Sequence, residues 1–85
     1  MDRPILPDEG LVANKRVAER LFLRAYEMEL EGEAEHRIWA YRKAAWTVDE
    51  LDESLAAIYE REGLRGLTAL PHIGSRMAEV IASLL

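Results

Sequence analysis

The chain has 85 residues, 49% of them hydrophobic, with no cysteine and a formal net charge of -5 from 16 Asp+Glu against 11 Lys+Arg. That length fits one small domain held by compact packing of regular elements, and the lack of cysteine excludes a disulfide scaffold and any thiolate-bound zinc or iron-sulfur site. No stretch approaches the ~18 apolar residues of a membrane span, no signal-like apolar run opens the chain, and a cytoplasmic location is expected.

Residues 1–13, with Pro4, Pro7 and Gly10 and no sustained period, read as an N-terminal tail or strap in which Ile5, Leu6, Leu11 and Val12 dock on the body; residues 14–85 read as the domain. Asn14 is placed to cap a first helix whose apolar positions Val17, Ala18, Leu21, Ala25 and Met28 recur at helical spacing, ending near Gly32. A second helix is expected from about Ala34 to Glu50, with Ile38, Tyr41, Ala44, Ala45 and Val48 on one face. Asp52 or Ser54 caps a short third helix in which Leu55, Ile58 and Tyr59 face inward and which Gly63 stops. Residues 64–70 give one or two further turns, with Leu64, Leu67 and Leu70 apolar. Pro71 to Gly74 then breaks the chain before Ser75 caps a last helix with Met77, Ala78, Ile81 and Leu84 or Leu85 inside. No segment alternates with the period of a strand, so the expected fold is all-α, a compact bundle of about five short helices.

Charge is unevenly spread. Residues 27–35 carry Glu27, Glu29, Glu31, Glu33 and Glu35 without a Lys or Arg, whereas residues 36–48 hold Arg37, Arg42 and Lys43 and residues 63–78 hold Arg65 and Arg76, both without an acid. Alternating glutamates around a helix end read as a solvated rim rather than a metal cage.

The most informative stretch is Gly66 to Ile81, in which a short helix, a tight Leu70-Pro71-His72-Ile73-Gly74 turn and a helix opened by Ser75 follow one another. This is the layout of a helix-hairpin-helix. Such a turn aims backbone amides and the positive end of the following helix at one spot, which suits a phosphate. Gly74 permits close backbone approach and Arg76 adds a charge-assisted contact. The competing reading is a tight helix connection packed only by Leu70 and Ile73.

Two blocks, Ala40-Tyr41-Arg42-Lys43-Ala44-Ala45 on the second helix and Leu70-Pro71-His72-Ile73-Gly74 in the turn, make residues 14–85 resemble the N-terminal helix-hairpin-helix domain of family X DNA polymerases, the polymerase beta-like group. The resemblance implies a repair-associated module that binds single-stranded or gapped DNA near a 5′ phosphate, either beside further domains of the same polypeptide or with a protein partner. It implies that His36 and Arg37 match a His-Lys pair that touches the template base and the 5′ phosphate. It further implies that the carbonyls of Thr68, Leu70 and Ile73 can hold a Na+ or K+ ion against a DNA phosphate, with no other cofactor required.

Departures from that pattern bear on function. Some members use a lysine as a Schiff-base nucleophile at the position occupied here by Val80, and the only lysines are Lys15 and Lys43. Imine chemistry needs an amine, so a non-catalytic binding domain is expected, with a lyase using Lys43 as a rival. His72 replaces the first glycine of a Gly-x-Gly pair; it either weakens phosphate approach, donates to the phosphate once protonated, or faces solvent without a role.

On a helical wheel His36, Trp39, Lys43 and Trp46 share a face, so basic and aromatic residues are interleaved as in single-strand binding surfaces, or the tryptophans simply pack against the strap or the first helix. Arg42 and Tyr41 read as partly structural. The expected DNA contacts are therefore His36, Arg37, Trp39, Arg42, Lys43, His72, Ile73, Gly74, Ser75 and Arg76. The alternative is a protein-interaction or dimerisation module on a degenerate DNA-binding fold, motivated by the net acidity, His72 and the two tryptophans.

Overall fold

A computed structural model of the chain describes residues 9–85, and these form five helices: α1 Glu9–Leu30, α2 Glu35–Glu50, α3 Leu55–Glu62, α4 Leu64–Thr68 and α5 Ser75–Leu84. There is no strand among the described residues. The expected docking of Ile5 and Leu6 lies outside them.

α1 and α2 form the long antiparallel pair of the bundle. Their turn is fixed by Gly32, whose φ of 76° no β-carbon-bearing residue adopts cheaply. The Gly32 N–H donates to the Glu29 carbonyl (3.1 Å) and the Glu33 N–H to that of Met28 (3.0 Å), which is the pairing of a Schellman motif. At the other end of the pair Lys15 Nζ donates to both the Asp49 carbonyl (2.7 Å) and its carboxylate (3.0 Å), so a cation on α1 satisfies the end of α2.

The glutamate run falls around the α1–α2 turn. It is exposed apart from half-buried Glu33, and arginines offset it: Arg24 reaches Glu27 and Glu31 at 3.5 Å each, Arg37 reaches Glu33 at 3.0 Å, and Arg42 reaches Glu29 at 3.2 Å. No group of acids or histidines among the described residues is placed to hold a metal ion.

Asn14 does not start a helix. α1 begins at Glu9, so residues 9–13, read from sequence as tail, are helical, and Asn14 sits inside α1 on its buried face, 2% exposed. Its amide instead serves α3: Nδ2 donates to the Glu53 carbonyl (2.8 Å) and Oδ1 accepts from the Leu55 N–H (2.9 Å). Ser54 caps the same helix as expected, accepting from the Ala57 N–H at 3.2 Å. The same short polar side chain suits a cap and a buried bridge, and only the tertiary contact separates them.

Gly63, φ 66°, ends α3 and begins α4, which lets the chain turn a corner without a loop. α4 packs back on α3 through Gly66, where an added Cβ would stand 2.7 Å from Ile58 Cγ2 and 2.8 Å from Glu62 Cβ. Glycine here is a packing requirement.

The main core joins Val17, Ala18 and Leu21 of α1, Ala44, Ala45 and Val48 of α2, Leu55 and Ile58 of α3, Leu67 of α4, Ile73 of the turn, and Met77, Ala78 and Ile81 of α5. A smaller cluster of Ala25, Met28 and Ile38 fills the α1–α2 end, and half-buried Tyr41 packs against both. Tyr59, expected to face inward, is instead 39% exposed; of the alternatives Leu84 and Leu85, Leu84 packs against the core and Leu85 is exposed, as is Leu64.

Candidate nucleic-acid interface

The α4–α5 connection is a type II-like turn. The Ile73 N–H donates to the Leu70 carbonyl at 3.2 Å, Pro71 occupies the second position, and His72 the third with φ 64°. That third position is the one for which glycine is preferred, so His72 takes the left-handed conformation at a cost of about 1 kcal/mol. Thr47 Oγ1 steadies the turn from α2 by donating to the Pro71 carbonyl at 2.9 Å. Ile73 plugs the core, 4% exposed, and holds the turn against the bundle. Its side chain and its N–H are thus both engaged, which leaves only its carbonyl for a ligand.

Gly74, not Ser75, occupies the cap position of α5, with φ -85° and ψ -178°, and no side chain caps the helix. The leading N–H groups of α5 are thereby left for solvent or an anion. Gly74 has ordinary backbone angles, is exposed, and has nothing within 4 Å of where a Cβ would stand. Neither conformation nor internal packing demands glycine at this position.

Beside this end of α5 opens a groove of about 500 Å³, lined by His36, Arg37, Ala40 and Tyr41 of α2 and by His72, Gly74, Ser75, Arg76, Met77 and Val80. Six of the ten expected contacts meet here, and no carboxylate lines the groove. Arg76 has no ion-pair partner among the described residues, while Arg37 holds Glu33 in an exposed pair that a phosphate can displace at little cost. Val80 lines the same groove and gives it an aliphatic wall.

The other four expected contacts lie elsewhere or are committed inward. Ile73 belongs to the core, as above. Arg42 is tied to Glu29 and lies 5.1 Å over the Trp39 ring, so it clamps α1 to α2. Trp39 and Trp46 lean on each other (5.9 Å between centroids, tilted by 56°), and Trp46 meets the edge of Phe22 at 6.4 Å. Both indoles remain partly open, at 41% and 48% exposure. Lys43 makes no ion pair among the described residues and lines a second cleft with Trp46, Thr47, Pro71 and His72. His72 therefore stands on the ridge between the two clefts. Tyr41, read from sequence as a core residue, also lines the hairpin groove; its place in the Ala40-Tyr41-Arg42-Lys43 block was the available signal.

Two short helices joined by a tight turn, with an uncapped helix start and free arginine beside it, define a helix-hairpin-helix module. Residues 12–85 match the family model described as a helix-hairpin-helix domain, and the chain belongs to that family, which speaks for nucleic-acid binding in general. No curated protein and no solved structure matches the chain. No helix among the described residues is long and apolar enough to cross a membrane.

Proposed function

We propose that this domain binds single-stranded or gapped DNA by seating a backbone phosphate, preferably a 5′ phosphate, on the start of α5. The observation that carries this is Gly74: a glycine that neither backbone conformation nor packing demands, exposed at an uncapped helix start beside an unpaired Arg76. Arg76 supplies charge, Arg37 can exchange Glu33 for the phosphate, and His36 and His72 donate from the groove walls. In the manner of its resemblance to family X polymerases, the module would serve DNA repair as part of a larger assembly.

We extend the proposal to the cation site that the resemblance implies. Leu70 uses one lone pair of its carbonyl for the Ile73 N–H, which leaves the second available, and the Thr68 hydroxyl turns back to the Arg65 carbonyl at 3.1 Å. A Na+ or K+ ion held by Thr68, Leu70 and Ile73 would add positive charge beside the phosphate.

The reading is one of binding without catalysis, supported by Val80 in the groove and by the engagement of Lys15 at Asp49. A borohydride-trapped adduct with abasic DNA mapping to Lys43 would overturn that part.

The test is an NMR titration of the labelled chain with 5′-phosphorylated gapped DNA at low and moderate salt. Salt-sensitive shifts at Gly74, Ser75, Arg76 and Arg37 are expected, and three to five phosphate contacts give a log-log salt slope of roughly -2 to -4. Gly74→Ala should lose most of this binding while keeping its fold. No shift at the turn at low salt refutes the proposal. Partly open Trp39 and Trp46 favour one second reading, a protein-docking or dimer face; a strictly monomeric sedimentation profile across concentration argues against the dimer.

A further inference from the structure

The hairpin groove does not end at Val80. A middle cleft of about 290 Å³ shares Tyr41 and Val80 with it, and an end cleft of about 680 Å³ shares Arg20 and Leu84 with the middle one. The three follow one another along the surface, the first walled by α2, the turn and α5, the second by α1, α2 and α5, and the third by α1, α3 and the end of α5. Beyond the hairpin their cations are Arg24, Arg20 and Arg16, and their acids are Glu27 and Glu60. Arg24 and Glu27 pair with each other at 3.5 Å. Arg16 and Arg20 make no ion pair among the described residues, and their spacing of four places them on the same face of α1. Exposed Tyr59 stands in the end cleft with them.

Unpaired guanidiniums facing an aromatic ring across a trough are what a single strand needs: the cations track phosphates and the ring takes a base. We infer that a DNA strand anchored at the hairpin continues along α1 and α5, with Arg16 and Arg20 holding backbone phosphates and Tyr59 stacking a base. This rests on the hairpin reading above and extends it by a second, separate contact region. α5 spans ten residues, about 15 Å of rise. At about 3.4 Å per stacked nucleotide that is room for roughly four nucleotides past the anchored phosphate.

The experiment measures fluorescence anisotropy with a 5′-phosphorylated thymidine dinucleotide and octanucleotide, each labelled at the 3′ end. The unaltered protein should bind the octanucleotide about fivefold tighter or more, the lower end of one base's stacking contribution. In the double variant R16Q/R20Q the dinucleotide should bind as before, the length advantage should shrink to what stacking on Tyr59 supplies, and the octanucleotide salt slope should become shallower by about 1.4, two phosphates' worth. Both arginines are exposed and unpaired, so an unchanged melting midpoint is expected and serves as the folding control. Tyr59→Ala should lower the length advantage and leave the salt slope alone. If the dinucleotide binds but the octanucleotide gains nothing, or its gain and its salt slope are both unchanged in R16Q/R20Q, the extended track is wrong while the hairpin reading stands. If neither oligonucleotide binds, both fall together.

Discussion

Replacing Asn14 by alanine removes the side chain whose hydrogen bonds tie the second turn of α1 to the start of α3. Two hydrogen bonds disappear, and their loss is unequal. Leu55 is 0% exposed, so its N–H is left without a partner away from water, at about 1 to 3 kcal/mol. Glu53 is exposed, and water can serve its carbonyl, so that bond accounts for only about 1 kcal/mol. The sum, about 2 to 4 kcal/mol, is a large part of the roughly 4 to 13 kcal/mol expected of a chain this size. It corresponds to a melting midpoint lowered by roughly 10 to 30 °C. Urea unfolding followed by far-UV circular dichroism gives the free energy, and an unchanged m-value confirms that the same surface is exposed. A loss below about 1 kcal/mol would refute the bridging role and mean that Leu55 finds its acceptor elsewhere.

Gly66→Ala should destabilise by about 1 to 3 kcal/mol in the same urea assay, because its methyl would meet Ile58 and the Cβ of Glu62 inside 3 Å. Gly74→Ala, whose methyl meets nothing, should shift stability by less than about 1 kcal/mol while impairing DNA binding in the titration. His72→Val should lower stability by about 1 to 2 kcal/mol because a β-branched residue fits the left-handed region poorly, whereas His72→Gly should hold or raise it; equal midpoints for the two variants would show that the turn relaxes.

The helices were legible because five amphipathic patterns sit between Gly32, Gly63 and the Pro71–Gly74 turn, and observed boundaries fall within a residue or two of those the pattern marks, apart from the start of α1. That start was hidden because Gly10 and the two prolines read as a tail, and because a buried bridging asparagine has the same local signature as a cap. The hairpin was legible as a motif, but its partner wall was not. His36 and Arg37 stand more than thirty positions upstream of the turn, and only the packing of α2 beside α5 brings them to it. Arg42 was ambiguous for the opposite reason: the sequence places it among cations, and the fold gives it to Glu29 and Trp39.

The contact at Gly66 also shapes how the domain opens. With no side chain between them, α3 and α4 cannot separate by a rotamer change; either both backbones stay together or one unfolds. The turn follows α4 within two residues, so hydrogen exchange in the turn and in α3 should share a single opening event. A phosphate that holds the turn would then slow exchange at Ile58 and Glu62, residues it never touches, by the free energy of its own binding.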